Sequence, residues 1–216
     1  MKKLYTILLI VACATPSFSQ KDTTAEIRTI FKEINPKQHG GYGGFSVLYS
    51  TINAKDSYIT GWRGAWIMNH RFALGGGVYS IETEAEYNNY MQGKQKFSGG
   101  YGGIMIEPII FPKSVIHVSL PIMFGAGGIG CRLENTERSN TDKWRTVDKD
   151  IFFVIEPGIE LETNVVKFLR IGIGIYYRYT SAVELIYEQK ELGLILDNKK
   201  FLNNYTAGIC FKFGKF

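Results

Sequence analysis

The chain of 216 residues contains little charge: Asp, Glu, Lys and Arg make up 21% of it. Glycine and aromatic residues are abundant instead, with 24 Gly, 14 Phe and 13 Tyr. This composition excludes a disordered or collagen-like chain and argues against a helical bundle. A strand-rich protein remains, and the length suffices for one large domain or for closing a barrel.

The sequence also lacks an apolar run long enough to cross a bilayer as a helix, which takes roughly 20 residues. The run Leu4–Ala14 is shorter, follows two lysines and precedes the small-x-small site Ser17–Ser19. Together these features predict a signal peptide over residues 1–19. Ile10–Cys13 also fits a lipoprotein cleavage box, in which that cysteine would become the acylated N-terminus. Either cleavage predicts an exported protein.

The exported chain carries no concentrated positive charge. Loss of the two lysines in residues 1–19 lowers the formal net charge from +5 to +3, and the remaining basic residues are scattered. Nucleic-acid binding requires basic residues clustered on one face. No nucleic-acid partner is therefore predicted.

From Gly41 onward, apolar residues recur at every second position, the pattern of strands with one apolar face and one polar or small face. In residues 168–180, for example, Leu, Ile and Tyr alternate with Arg170, Gly172 and Gly174. Eight segments have this pattern: 41–52, 57–68, 71–82, 97–110, 115–131, 151–163, 168–180 and 201–213. Each segment covers the roughly 9–11 residues that a tilted membrane-spanning strand needs.

The connections between these segments differ in length at the two ends. Short turns at one end and long loops at the other are typical of outer-membrane barrels, whose turns lie in the periplasm. An even number of strands places both chain ends on the turn side. The tight connections are 69–70, 111–114 and 164–167, and the long polar loops are 84–96, 132–150 and 181–200, with 53–56 as a shorter one.

These patterns predict an all-β fold, an eight-stranded antiparallel up-and-down transmembrane β-barrel over residues 41–216. A periplasmic segment, residues 20–40, precedes the barrel. Within it, Thr23–Ile34 has a capping box and helical apolar spacing, and Asn35–Pro36 ends the pattern. A short N-terminal helix is predicted there.

Glycines on the polar face indicate which side of the barrel wall faces inward. Gly158, Gly172 and Gly174 separate long charged side chains, and glycine there leaves room for such side chains in a crowded interior. An eight-stranded barrel is only wide enough for side chains to fill, and charges inside it must pair. We predict a lumen plugged by ion pairs, with a proton or ion path through it as the alternative. The predicted network is Arg63, Glu107, His117, Glu156, Glu160, Arg170 and Arg178.

The reverse orientation, with the apolar face inside, would make a soluble periplasmic barrel that binds a ligand. The apolar face is long, branched and aromatic, and Tyr177, Tyr179 and Tyr205 lie near segment ends. Tyrosines at such positions are typical of an interfacial girdle. The residues therefore favour the outer membrane of a Gram-negative bacterium, with the apolar face in lipid.

Two cysteines, Cys131 and Cys210, remain after removal of the signal peptide. They lie at opposite ends of segments five and eight, which are not neighbours in the barrel. A disulfide requires Cα atoms within about 7 Å. We therefore predict two free thiols.

Chemistry-bearing motifs are scarce. His39 and His70 have no ligand spacing around them, so no metal site is predicted. Gly125–Gly130 has the spacing of a dinucleotide fingerprint but no helix follows it, so no cofactor is predicted. His117 and Ser119 are similar to the His-x-Ser of lipid A deacylases, but they lie at the periplasmic end and face the lumen. A non-enzymatic protein is predicted.

Four motifs resemble the small, porin-like outer-membrane β-barrel proteins of Bacteroidota, which are mostly of unknown activity. The resemblance covers roughly residues 40 to 216 and implies fold and location, not a reaction. The motifs are Gly40–Gly44, Gly61–Ile67, Ile155–Gly158 and Phe211–Phe216.

The end of the chain resembles the signal that the barrel-assembly machinery reads on a last strand. Phe211, Phe213 and Phe216 would form this signal. Phe216 is out of phase with the other two, and a bulge at Gly214 would restore the phase.

We therefore expect a structural or surface-interaction role, with outer-membrane lipid and the barrel-assembly machinery as partners. The long loops mix charged and aromatic residues, a composition compatible with an extracellular partner or with simple solvation. A narrow passive pore for ions or small solutes is the first alternative, and the soluble ligand-binding barrel is the second.

Overall fold

The computed structural model describes residues 39–89, 93–134, 144–187, 194–195 and 200–216. The predicted signal peptide and the predicted helix Thr23–Ile34 lie outside these residues. Within the described ranges, no helix has the length and apolar character to cross a membrane. The strands are β1 His39–Ile52, β2 Lys55–Met68, β3 Phe72–Thr83, β4 Glu86–Asn88, β5 Gly93–Ile110, β6 Ile116–Ser119, β7 Ile122–Glu134, β8 Trp144–Val166, β9 Leu169–Thr180, β10 Ile186–Tyr187, β11 Leu194–Ile195 and β12 Asn204–Lys215.

Antiparallel pairings close the main strands into a ring in the order β1, β2, β3, β5, β7, β8, β9, β12 and back to β1. β6 continues the line of β7 across Leu120–Pro121 and pairs with the same two neighbours, β5 and β8, so the two count as one ring strand. The predicted eight-stranded antiparallel up-and-down barrel is confirmed. Outside the ring, β4 pairs with the start of β5 and β10 pairs with β11.

Three strands run further at the loop end than the sequence predicts. β5 begins at Gly93, β7 ends at Glu134 and β8 begins at Trp144. Much of the predicted loops 84–96 and 132–150 is therefore strand, which corrects that prediction. Apolar alternation could not reveal these parts, because polar residues occupy both faces of the sheet there.

Two hairpin turns hold the first three ring strands in register. Asn53 and Ala54 have φ angles of 51° and 60°, and Asn69 and His70 have φ angles of 52° and 56°. Two successive residues with positive φ are the signature of a two-residue turn whose twist matches that of the strands. The first turn is of this kind and brings Ile52 opposite Lys55, whereas the second connection has three residues, 69–71, between the paired Met68 and Phe72.

The barrel interior has an apolar cluster at each end and a charged layer between them. At the loop end, four residues from the described parts of the connection after β9 are buried in the larger cluster: Val183, Leu185, Phe201 and Leu202. At the turn end, the C-terminal Phe216 packs on a smaller cluster. The turn-end cluster is Tyr42, Ala65, Ile67, Ala73, Met105 and Ile109.

Candidate functional site

The candidate site is the charged layer of the lumen. All seven residues of the predicted network have buried side chains on the inward faces of the ring strands. Glu162 and Lys212, which the predicted network omits, are buried with them. Both follow the inward phase of their strands, Glu162 two residues after Glu160 and Lys212 two residues after Cys210. The alternation of inward and outward residues along each strand was therefore the signal that could have identified Glu162 and Lys212.

Lys212 is the centre of the layer. Its Nζ atom lies 3.0 Å from a carboxylate oxygen of Glu160 and donates hydrogen bonds to Glu107 and Glu162. Oxygens of these three carboxylates lie within 4.8 Å of one another, a spacing that could hold a metal ion. The lysine ammonium already places a positive charge among them. The trio is therefore the anionic side of an ion cluster built from protein side chains alone.

Arg63 also binds the carboxylate of Glu160, through two hydrogen bonds. Its Nη1 and Nη2 atoms donate to the two oxygens of that carboxylate at 2.6 and 2.8 Å. This two-point geometry is the strongest form of carboxylate binding by arginine. Nη2 also lies 2.7 Å from the Sγ atom of Cys210, and the Tyr176 hydroxyl donates to Glu160 at 2.5 Å.

The His117 and Ser119 pair binds a common carboxylate at the turn end. His117 Nε2 lies 2.9 Å from one oxygen of Glu162, and the Ser119 hydroxyl donates to the other oxygen at 2.6 Å. The serine hydroxyl thus points at a carboxylate, whereas an activated serine nucleophile donates to its histidine. The pair is built into the ion cluster.

The loop-end part of the layer centres on Glu156. Its carboxylate accepts the hydroxyl proton of Tyr101, with oxygen–oxygen distances of 2.9 and 3.1 Å. The guanidinium of Arg178 lies 5.8 Å from the centre of the Tyr101 ring, and Arg178 Nε donates to the carbonyl of Leu202 at 3.0 Å. This contact joins the loop-end apolar cluster, to which Leu202 belongs, to the charged layer.

The layer is electrically balanced when its acidic and basic groups are ionised. Buried ions need groups of opposite charge nearby, and the layer has as many cations as carboxylates. Among the described residues, however, the two Nη atoms of Arg178 have no hydrogen-bond partner. The cations are Arg63, Arg170, Arg178 and Lys212, and the carboxylates are Glu107, Glu156, Glu160 and Glu162, with His117 beside them.

Inward glycines make room for this layer, as the sequence indicates. An added methyl group at Gly174 would lie 2.6 Å from the Tyr176 hydroxyl and 3.0 Å from Glu160 Cγ. One at Gly158 would collide with the Tyr176 ring. The tyrosine that binds Glu160 therefore lies across bare backbone.

Changing Gly174 to Ala is expected to displace Tyr176 from Glu160 and to lower the free energy of unfolding by about 1–3 kcal/mol. Urea unfolding in lipid vesicles measures the change. Gly43→Ala is the matched control, because a methyl group there meets nothing within 4 Å. Equal stability of the two variants would contradict the packing described here.

The terminal phenylalanines divide between the two faces. Phe213 is 52% exposed on the outer surface, on the same face as Phe211. The register runs without a shift to the pair Gly41 and Lys215, so the proposed bulge at Gly214 is wrong. Phe216 keeps the inward phase because no extra residue interrupts the strand.

The inward Phe216 ring closes the turn end of the lumen. It stacks on Tyr42 with 6.3 Å between ring centres, and the guanidinium of Arg170 lies 3.9 Å from the Phe216 ring centre. In this structure Phe216 is thus part of the barrel interior.

The outer surface of the barrel is an apolar belt. Ile173 and Ile175 are exposed, whereas Glu156 and Arg178 are buried. The predicted orientation of the two faces is therefore confirmed. The belt includes Val47, Trp62, Trp66, Leu74, Val78, Ile104, Phe124, Ile151, Phe153, Ile155, Ile159, Leu161, Ile173, Ile175 and Ile209, with Tyr49, Tyr58, Tyr177, Tyr179 and Tyr205 towards the loop end.

The two cysteines are free and buried in separate places, which confirms their prediction. Cys131 accepts a hydrogen bond from Gln95 at 3.0 Å near the loop end. Cys210 lies beside Arg63 in the charged layer.

Solved structures that are similar to this chain include the following three. Neisserial surface protein A has 7% identity and a TM-score of 0.49, with 83% of this chain and 97% of that chain covered. The attachment invasion locus protein Ail of Yersinia pestis has 10% identity and a TM-score of 0.44, and the N-terminal β-barrel domain of Pseudomonas aeruginosa OprF has 10% and 0.41. For each of these two structures, the match covers 82% of this chain and 97% of the other chain. No protein-family model and no curated protein matches the chain.

Proposed function

We propose that this protein is an integral outer-membrane β-barrel of a Gram-negative bacterium, with a closed lumen and a structural or surface-interaction role. The observation that carries the proposal is the difference between the outer and inner faces of the barrel wall. Exposed aliphatic and aromatic side chains surround a ring whose interior is ionic. A water-soluble protein rarely exposes apolar patches beyond a few hundred Å², whereas the hydrocarbon of a bilayer favours such a surface.

The same sidedness removes the basis for a soluble ligand-binding barrel. That class needs an apolar lumen to hold its ligand. Here the middle of the lumen is ionic, because Arg63 and Lys212 both bind the carboxylate of Glu160.

The buried charges support a closed lumen over a narrow pore. Side chains that line a water-filled channel would be accessible to solvent. Glu160 and Arg178 are 0% exposed and Lys212 is 1% exposed. Apolar clusters at both ends of the lumen add to the closure. We therefore do not propose a solute pore. Because the Ser119 hydroxyl donates to the carboxylate of Glu162, we also propose a non-enzymatic role.

The sheet that extends beyond the barrel supports a role at the cell surface. β4 and the outer parts of β5, β7 and β8 rise together at the loop end. Tyr87 is exposed there, and Lys96 lies over the ring of Trp144 at 4.8 Å. Aromatic residues such as Tyr and Trp are enriched at contact surfaces. An extracellular partner would bind this extension.

We also propose that the protein belongs to the small outer-membrane barrel proteins of Bacteroidota, which the glycine and aromatic motifs of the sequence support. The outward Phe211 and Phe213 on β12 support recognition by the barrel-assembly machinery during insertion.

Cell fractionation, gel mobility and conductance together test this function. We expect the protein in the outer-membrane fraction, with a mobility that changes on boiling. In planar bilayers we expect no conductance steps from the folded protein. Recovery from the periplasm without detergent would contradict the membrane assignment, and steady single-channel steps would contradict the closed lumen.

A further inference from the structure

A groove on the outer wall differs from the rest of the apolar belt because cations lie at its edge. It encloses about 520 Å³ where β5, β7 and β8 run side by side. Gly128 and Gly130 form its floor, and Ile151, which is 80% exposed, forms a side wall. Arg132 and Lys149 line its loop end.

The floor is open because glycine is present, and at Gly128 the packing does not require glycine. An added methyl group at Gly128 would have one ordinary contact, 3.5 Å from the carbonyl oxygen of Asp150. At Gly130 the nearest atom would be the carbonyl oxygen of Asp148 at 3.3 Å. Gly158 and Gly174 of the charged layer, in contrast, lie against Tyr176. Small residues at 128 and 130 therefore leave space outside the wall.

The register places the cations in one patch at the edge of the apolar belt. Arg132 lies directly opposite Lys96, and Lys149 lies opposite Gly130. Like charges opposite each other on neighbouring strands destabilise a sheet. Lys96 is neutralised by Glu82, 3.0 Å away.

Arg132 and Lys149 have no ion-pair partner among the residues that the structure describes. The carboxylates of Asp148 and Asp150 accept backbone N–H groups, of Lys149 at 2.7 Å and of Ile151 at 2.8 Å. Glu134 lies on the same face beyond Arg132, opposite Trp144. The two cations thus form a basic edge at the loop end of an apolar groove.

We propose that this groove binds one phosphorylated glycolipid of the outer leaflet. A phosphate lies between Arg132 and Lys149, and one acyl chain lies along the glycine floor beside Ile151. The hydroxyls of Ser98 and Thr146, which also line the groove, face the sugar. The inference rests on the proposed function, because the groove meets the outer leaflet only if the loops point out of the cell.

Native mass spectrometry of the folded protein in detergent, titrated with diphosphoryl lipid A, tests the inference. Charge-assisted hydrogen bonds to a phosphate are stronger than neutral ones. We expect the Arg132→Gln/Lys149→Gln protein to bind lipid A about tenfold more weakly or worse. Gly128→Leu, which fills the floor and keeps both cations, is expected to weaken binding as well.

The matched control is Lys113→Gln/Lys167→Gln, which removes the same charge from exposed lysines at the turn end. It is expected to leave lipid A binding unchanged. Equal weakening in the control, or none in either protein, would overturn the inference. Binding of phosphatidylglycerol as tight as that of lipid A would overturn the glycolipid assignment.

Gel mobility and insertion into vesicles are measured on each protein beforehand. A wild-type protein that fails to insert contradicts the proposed function itself. A protein that inserts and shows no dependence on Arg132 and Lys149 contradicts only the groove.

Discussion

Replacing Lys212 by Met is expected to lower the free energy of unfolding by about 3–5 kcal/mol, because the change leaves buried carboxylates without their shared cation. Glu107, Glu160 and Glu162 all lose a contact with its Nζ atom. Urea unfolding in lipid vesicles measures the loss. Lys215→Met, on the same strand but exposed, is expected to change stability by less than about 0.5 kcal/mol.

A second substitution separates charge from packing at this position. Adding Glu107→Gln to the Lys212→Met protein removes one of the unpaired carboxylates. We expect part of the lost stability to return, since an unpaired buried charge is the main cost. If the double variant were less stable than Lys212→Met alone, the ammonium would not be the element that holds the carboxylates together.

Replacing Ile173 by Arg is expected to cost about 2–4 kcal/mol of unfolding free energy, the cost of a cation at the middle of a lipid-facing barrel wall. Ile173 lies among Ile171 and Ile175 on the outward face of β9. The same vesicle assay measures the effect. In a water-soluble barrel, a charge at this exposed position would change stability by no more than about 0.5 kcal/mol.

Tyr87→Arg is the control for this experiment. Tyr87 is as exposed as Ile173 but lies in β4, beyond the ring at the loop end. We expect its replacement to be nearly neutral. Similar losses at both positions would mean that Ile173 is not surrounded by lipid.

The sequence was sufficient for the ring because each strand carries its own periodic signal. Residues 168–180 and 151–163 alternate so regularly that both the strand and its inward face could be predicted from them alone. The inward glycines gave the sidedness, since Gly158 and Gly174 are needed where Tyr176 crosses the backbone.

The pairing inside the lumen could not be predicted in the same way. Arg63 and Glu160 are 97 positions apart and meet only after the ring has closed. Which carboxylate meets which cation depends on the stagger of all eight strands, and a single sequence does not reveal that stagger. The hydrogen bond from the Tyr176 hydroxyl to Glu160 could not be predicted for the same reason.

Local signals also fail at the two ends of the barrel. In 93–96 and 144–150 the strands have polar residues on both faces, so they resemble loops in sequence. At the C-terminus, bringing Phe216 into phase with Phe211 and Phe213 required a bulge, whereas the uninterrupted strand turns the Phe216 ring inward against Tyr42.

The central claim, that the apolar face meets lipid, is tested most directly by Trp62, which is 66% exposed on the outer face of β2. With Trp66→Phe and Trp144→Phe, Trp62 is the only tryptophan left of three. The protein is folded into vesicles whose acyl chains carry bromine, a quencher of indole fluorescence on contact. The account predicts strong quenching relative to unbrominated vesicles. Equal fluorescence in the two kinds of vesicle would contradict it.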